Sequence, residues 1–105
     1  MNNIKAGFVG FGEVNSPRDV IEKKCREAGQ LLEGAGLELI ATQPVSDDAK
    51  GEDASRAISD LAHKDFDVLV LCIAGWIPSQ TVIRVADHFR HKPMVLWGLA
   101  GFKQN

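Results

Sequence analysis

The sequence predicts one α/β domain, with helices packed on both faces of a parallel sheet. Three observations lead to this fold class. Short apolar runs alternate along the chain with longer segments whose apolar residues recur at helical spacing. The connections between these segments are short. The length of 105 residues suits a single hydrophobic core, so we expect residues 1–105 to form one domain.

The first strand and the first helix have clear signals in the sequence. Residues 5–12 form an apolar run that ends on glycine, which is typical of a strand buried on both faces. Ser16 then offers a hydroxyl for the helix N-cap, Pro17 suits the first helical position, and Asp19 follows three residues after the cap. Apolar residues next recur at spacings of four and three, which predicts one buried face. They are Ile21, Cys25, Ala28, Leu32 and Ala35.

The rest of the chain continues the alternation. A polar segment over 46–53 is typical of a loop, and the run over 68–74 is the most apolar in the chain, which predicts a central strand. Residues 37–42 and 94–97 predict two further strands. A second helical stripe consists of Ala54, Ile58, Leu61 and Ala62. A third stripe follows Pro78 and consists of Val82, Ala86 and Phe89.

Short connections predict right-handed crossovers and parallel neighbouring strands. We therefore expect a doubly wound, three-layer, flavodoxin-like sheet with four strands in the order 2-1-3-4. In such sheets ligands bind beyond the carboxyl ends of the strands, where the winding reverses. Here that point lies between the first and third strands.

The charge balance argues against a nucleic-acid partner. The 12 basic and 14 acidic residues are interspersed and give a net charge of −2, so no basic stripe is present to neutralise phosphates. The sequence also has neither the pattern of a secretory leader nor an apolar run long enough to span a membrane. We therefore expect a cytoplasmic protein without a membrane partner.

Catalytic constellations are missing from the sequence pattern. Ser16 and Ser79 both look like helix caps, and the histidines fall near helix ends, so no catalytic triad is predicted. Cys25 and Cys72 lack zinc-site spacing, which favours two reduced, buried thiols. We predict neither catalytic residues nor metal ligands in this chain.

Two loops at the reversal point carry the candidate binding residues. They span 12–18 and 74–79, and each leads into a helix whose N-terminus presents backbone donors. The glycines read G-x-x-G-x-G instead of the dinucleotide pattern G-x-G-x-x-G, so close packing explains them better than a dinucleotide site. Trp76 is either a ligand-stacking or interface residue or a cover for the sheet edge. The candidate ligand contacts are Glu13, Asn15, Arg18, Trp76, Ser79 and Gln80.

Residues 7–19, 72–79 and 91–99 resemble the start of proteins in the L-fucose and L-arabinose isomerase family. The resemblance implies an aldose–ketose isomerase that uses a divalent metal, usually manganese, held by Glu, Asp and His ligands in later domains. Nothing in this sequence corresponds to those ligands. The resemblance therefore implies a first domain that reaches over a neighbouring subunit's active site. It makes Arg18 a polar sugar contact and Trp76 a stacking or lid residue.

Three functions stay open at this point. The chain is a first domain or fragment of a sugar isomerase, inactive by itself; a free-standing module that binds a small sugar or phosphate; or an interaction protein that works through its sheet edge. We also expect a homo-oligomer, because the apolar strand over 94–97 lies at an edge without protecting charges.

Overall fold

The computed structural model describes residues 4–98. Strands and helices alternate throughout this range, and every strand pair is parallel, in the order β2-β1-β3-β4. The predicted doubly wound, flavodoxin-like sheet is therefore confirmed. Leu99, the last residue of the segment 91–99, lies outside the described range. The elements are β1 (Lys5–Phe11), α1 (Arg18–Gly34), β2 (Glu38–Ala41), α2 (Glu52–Ala62), β3 (Val68–Ile73), α3 (Ser79–His88) and β4 (Met94–Gly98).

Alternating side chains of the buried strands build two hydrophobic clusters, one on each face of the sheet. The first cluster lies against α2 and α3, and the second lies against α1. Members of the first are Val9, Phe11, Val45, Ala54, Ala57, Leu61, Phe66, Leu69, Leu71, Val85 and Phe89. Members of the second are Ala6, Phe8, Ile21, Cys25, Ala28, Val70, Cys72 and Ala74.

The helical stripes agree with the sequence prediction except at Ala35, Ala57, Ala62 and Val85. Ala57 and Val85 are fully buried although neither belongs to a predicted stripe. Ala35 and Ala62 are exposed, because one follows α1 and the other is the last residue of α2.

The predicted N-caps at Ser16 and Ser79 are wrong. Pro17 occupies the N-cap of α1 and Pro78 that of α3, and neither helix start has a side-chain cap hydrogen bond. The Pro17 carbonyl oxygen accepts hydrogen bonds from the amides of Val20 and Ile21 at 3.1 and 3.2 Å. Ser16 stands one position too early, because its amide closes a turn on the Glu13 carbonyl at 3.0 Å. Ser79 is already the first helical residue.

The segment 46–53, predicted as a loop, contains the side chain that caps α2. Asp48 Oδ2 accepts a hydrogen bond from the amide of Glu52 at 2.8 Å, and Asp48 Oδ1 accepts one from Asp53 at 3.0 Å. Gly51 lies between them with φ of 69°, a left-handed conformation that favours glycine. A Cβ at Gly51 would also collide with the guanidinium of Arg84. Asp48 therefore caps α2 from three residues ahead of the N-cap position.

The edge strand β4 pairs only with β3 among the described strands. Val95 and Leu96 are 51% and 68% exposed, whereas Trp97 packs partly against the second cluster. Within residues 4–98, no helix has both the length and the apolar character required to cross a membrane.

Candidate functional site

The exits of β1 and β3 touch one another at the reversal point of the sheet. The amides of Ala74 and Gly75 both donate to the carbonyl oxygen of Phe11, at 2.9 and 3.2 Å. A Cβ placed on Gly75 would lie 3.7 Å from Gly12 Cα and 3.8 Å from Ser16 Oγ. The structure thus brings the two candidate loops into contact.

The chain that follows β2 forms a third wall of the crevice. Val45 makes a parallel bridge with Phe11: the Val45 amide donates to Gly10 at 2.7 Å, and the Gly12 amide donates to Val45 at 3.1 Å. The amide of Val14 donates to Asp47 Oδ1 at 2.7 Å. These bonds hold the loop after β1 against residues 45–47. Our sequence interpretation treated this segment only as a polar loop and missed its place in the site.

A cavity of about 300 Å³ opens between the loop after β1 and the segment that follows β2. Glu13, Ser16, Arg18 and Ser46 supply its polar lining, and Ile21 supplies part of its apolar floor. Glu13 and Arg18 are the two candidate residues that the structure brings into this cavity. Hydroxyl, carboxylate and guanidinium groups together offer both donors and acceptors to a ligand.

Arg18 is oriented by carboxylates on two helices. Its Nε donates to Glu22 Oε2 at 3.3 Å, and its Nη1 lies 3.8 Å from Asp53 Oδ2. Half of the Arg18 side chain stays exposed, so the guanidinium keeps free donors toward the cavity. The residue that sequence reasoning missed here is Asp53, which reaches the site because α2 begins beside the loop after β1.

The carboxylate of Asp53 is ionised, and hydrogen bonds and an ion pair fix its position. Its Oδ2 accepts hydrogen bonds from Ser46 Oγ at 2.7 Å and from the Ser46 amide at 3.0 Å, and Arg56 Nη2 lies 3.5 Å from Oδ1. Partial burial acts to raise the pKa of Asp53, but the two Ser46 hydrogen bonds and the charges of Arg56 and Arg18 outweigh it and lower the pKa below its ordinary value. The negative charge that positions Arg18 is therefore permanent at neutral pH.

The other candidates are spread around the crevice. Trp76 is 67% exposed and directly follows Gly75, where the two loops meet. Asn15 and Ser79 are exposed, one in the loop after β1 and the other at the start of α3. Gln80 lines a neighbouring cavity of about 430 Å³, between α3 and residues 46–51. Gln80 thus faces the third wall, away from the cavity that holds Arg18.

The family resemblance implies that the ligands of the divalent metal lie in later domains. Across residues 4–98, His, Cys, Asp and Glu side chains nowhere form a group of three that could hold a metal ion. A metal site needs several converging donors.

Comparison of the chain with protein-family models, with curated proteins and with solved structures finds no match. Support for a function comes from the geometry of the crevice and from the sequence resemblance described above.

Proposed function

We propose that the chain is a sugar-binding domain, the first domain of a ketol isomerase of the L-fucose or L-arabinose type, and that it does not catalyse isomerisation by itself. The observation that carries the proposal is the position of Trp76. The indole of Trp76 is 67% exposed, and Trp76 directly follows Gly75, where the loops after β1 and β3 touch. Leaving so large an apolar ring in water is unfavourable unless a ligand or partner covers it.

A sugar has chemical groups that match both the indole of Trp76 and the polar lining of the cavity. One face of a pyranose or furanose ring is made of C–H groups, which suits the indole of Trp76, and the hydroxyl groups at its rim both donate and accept hydrogen bonds. Arg18 supplies fixed donors, while Glu13 and the Ser46 hydroxyl supply acceptors within the same cavity. Trp76 directly follows Gly75 along the chain, and Gly12 and Ser16, which lie near Gly75, line the cavity. We infer that one sugar ring reaches both the indole and the polar lining.

Charge favours a neutral sugar over a phosphate. Charged side chains in and beside the cavity include Arg18 and Arg56 on the positive side and Glu13, Glu22, Asp47 and Asp53 on the negative side. They leave no excess of positive charge for a phosphate dianion. Tight phosphate sites instead contain guanidinium or ammonium groups whose charge neighbouring carboxylates do not offset.

The two tryptophans of the chain permit a direct test. In Trp97→Phe, the remaining fluorophore is Trp76, and we expect L-fucose or L-arabinose to change its emission in a saturable manner. In the matched control Trp76→Phe, only the indole of β4 remains, and its emission should stay constant. Arg18→Ala in the Trp97→Phe background should weaken binding about tenfold, as loss of a charge-assisted hydrogen bond does.

Two results would contradict the proposal. One is a Trp76 emission that neither sugar changes while inorganic phosphate does, which supports the phosphate module instead. The other is a sugar response that persists unchanged in Arg18→Ala, because the polar half of the site would then lie elsewhere.

A second candidate function is association through the edge strand β4. It is favoured by one observation, the exposure of Val95 and Leu96 on a strand that pairs only with β3 in the described range. Homo-oligomer formation and sugar binding are compatible, because the edge and the crevice lie on different parts of the sheet.

A further inference from the structure

Two thiols lie side by side in the second hydrophobic cluster. Cys25 is on α1 and Cys72 is on β3, and both are free. Cys72 is the register partner of Gly10 in the β1–β3 pair. The Cys25 sulfur rests over Gly10, where an added Cβ would collide with it. The glycine therefore lets α1 approach the sheet closely enough to bring the Cys25 sulfur beside Cys72.

The two thiols differ in their access to solvent. Cys25 is 9% exposed and lines a cavity of about 470 Å³ beside α1 and β2, whose polar lining includes Glu22, Arg26 and Thr42. Cys72 is fully buried. Cys25 is therefore the more accessible of the two thiols to a small polar molecule that enters this cavity.

The two thiols shift each other's pKa in opposite directions, through the hydrogen bond that one thiol can donate to the thiolate of the other. It lowers the pKa of Cys25, and the positive charge of Arg18 acts in the same direction, against the effect of burial. The same hydrogen bond raises the pKa of Cys72, and burial adds to that increase. Cys25 is therefore the better nucleophile of the two, because the thiolate is the reactive form.

We propose that Cys25 and Cys72 form an oxidisable dithiol that closes to an intramolecular disulfide when a peroxide reaches Cys25. In the first step the Cys25 thiolate attacks a peroxide oxygen, the O–O bond breaks, Cys25 becomes a sulfenic acid and the other oxygen leaves as water after protonation. In the second step the sulfur of Cys72 attacks that of Cys25. The S–O bond breaks, the S–S bond forms and a second water leaves. The two thiols lose two electrons, which reduce one hydrogen peroxide to two waters.

The disulfide between Cys25 and Cys72 would join α1 to the central strand β3. A disulfide needs the two Cβ atoms within about 3.5–4.5 Å, and the absence of a side chain at Gly10 leaves room for that approach. Because the bridge links elements far apart in sequence, it restricts the unfolded chain. The oxidised domain should consequently resist urea better than the reduced domain.

The test exposes the folded chain to hydrogen peroxide, then unfolds and alkylates it for mass spectrometry. We expect the loss of two hydrogen atoms, protection of both cysteines from alkylation and a cross-linked peptide pair containing Cys25 and Cys72. Reduction should restore both thiols. The same treatment in denaturing urea should produce the intramolecular bridge more slowly, because only the folded chain holds the sulfurs together.

Two variants separate the roles of the thiols. Cys72→Ser should stop at a Cys25 sulfenic acid, which dimedone traps, and Cys25→Ser should slow oxidation of Cys72 by at least about tenfold. Three results would overturn the proposal: wild-type protein that keeps both thiols after treatment, disulfides formed only between copies of the chain, or Cys25 that advances to sulfinic acid while Cys72 stays free. These outcomes are read from the wild-type protein and do not depend on the folding of either variant.

Discussion

Val70 of β3 and Val95 of β4 are register partners, yet Val70 is 4% exposed and Val95 is 51% exposed. Truncating Val70 to Ala removes buried methyl groups and leaves a cavity, so we expect a loss of about 2 kcal/mol in the free energy of unfolding. Val95→Ala is the matched control and should cost less than about 0.5 kcal/mol. Urea unfolding of both variants measures the difference. Equal midpoints would show that β3 is not the buried strand of this pair.

Helix capping distinguishes Asp48 from Ser16. Asp48→Ala removes the acceptor of two backbone amides at the start of α2 and should cost about 1 kcal/mol. Ser16→Ala removes no cap hydrogen bond from α1, so its urea midpoint should stay close to that of the wild type. The reverse order of midpoints would restore Ser16 as the cap of α1.

The Asp53 carboxylate makes stability depend on pH. Its pKa in the folded chain lies below the ordinary value of 3.8, so the unfolded chain takes up the proton first as the pH falls. The contribution of Asp53 is complete above 3.8 and is lost as the pH falls through the lower, folded-state pKa. Asp53→Asn should therefore be less stable than the wild type at neutral pH, and the difference should shrink toward about pH 3.

Ser46→Ala serves as the companion variant to Asp53→Asn. It removes the hydroxyl that donates to Asp53 Oδ2 and should reduce the pH dependence in part, since the backbone amide of Ser46 still donates. Urea unfolding at several pH values measures both effects. A difference between wild type and Asp53→Asn that grows on acidification would contradict the lowered pKa.

Self-association through β4 predicts a response to Val95→Lys. A charge on an exposed edge strand opposes pairing with a second copy, and a two-fold, antiparallel pairing is the expected arrangement. Sedimentation at micromolar concentration should show a wild-type dimer that Val95→Lys converts to monomer. A wild type that is monomeric, or a dimer that Val95→Lys leaves intact, would remove the edge as the interface.

Isomerase activity is not expected from the purified chain. In residues 4–98, metal-ligating side chains do not gather in threes, and aldose–ketose isomerisation of the family type requires a bound divalent metal. With manganese added, L-fucose and L-arabinose should remain unconverted in a ketose assay. Turnover that disappears on chelation would refute the proposed division between this domain and the catalytic ones.

Much of the fold was predictable because its signals are local. Alternating apolar runs and helical stripes identify strands and helices, and short parallel crossovers limit the topologies to a few. The contact between the loops after β1 and β3 follows from that topology, since parallel strands end at one edge of the sheet. Glu13 and Arg18 in the crevice were therefore found from sequence.

Other features depend on residues far apart in the chain. The Val45 bridge to Phe11 draws Ser46 and Asp53 into the crevice, and no local pattern announces a bridge between a loop and a strand more than thirty positions earlier. The caps at Ser16 and Ser79 were predicted wrongly, because a serine next to a proline has the composition of a cap whether or not it occupies the N-cap position.

The sequence by itself determined the α/β class, the order of the strands and the two loops that meet at the reversal point, because periodicity and connection length are properties of neighbouring residues. The tertiary structure decided which carboxylates orient Arg18, where α2 is capped and that Cys25 rests beside Cys72 over Gly10. Those relationships come from the close packing of distant segments, in which the absence of one Cβ or the position of one bridge sets the distance between side chains.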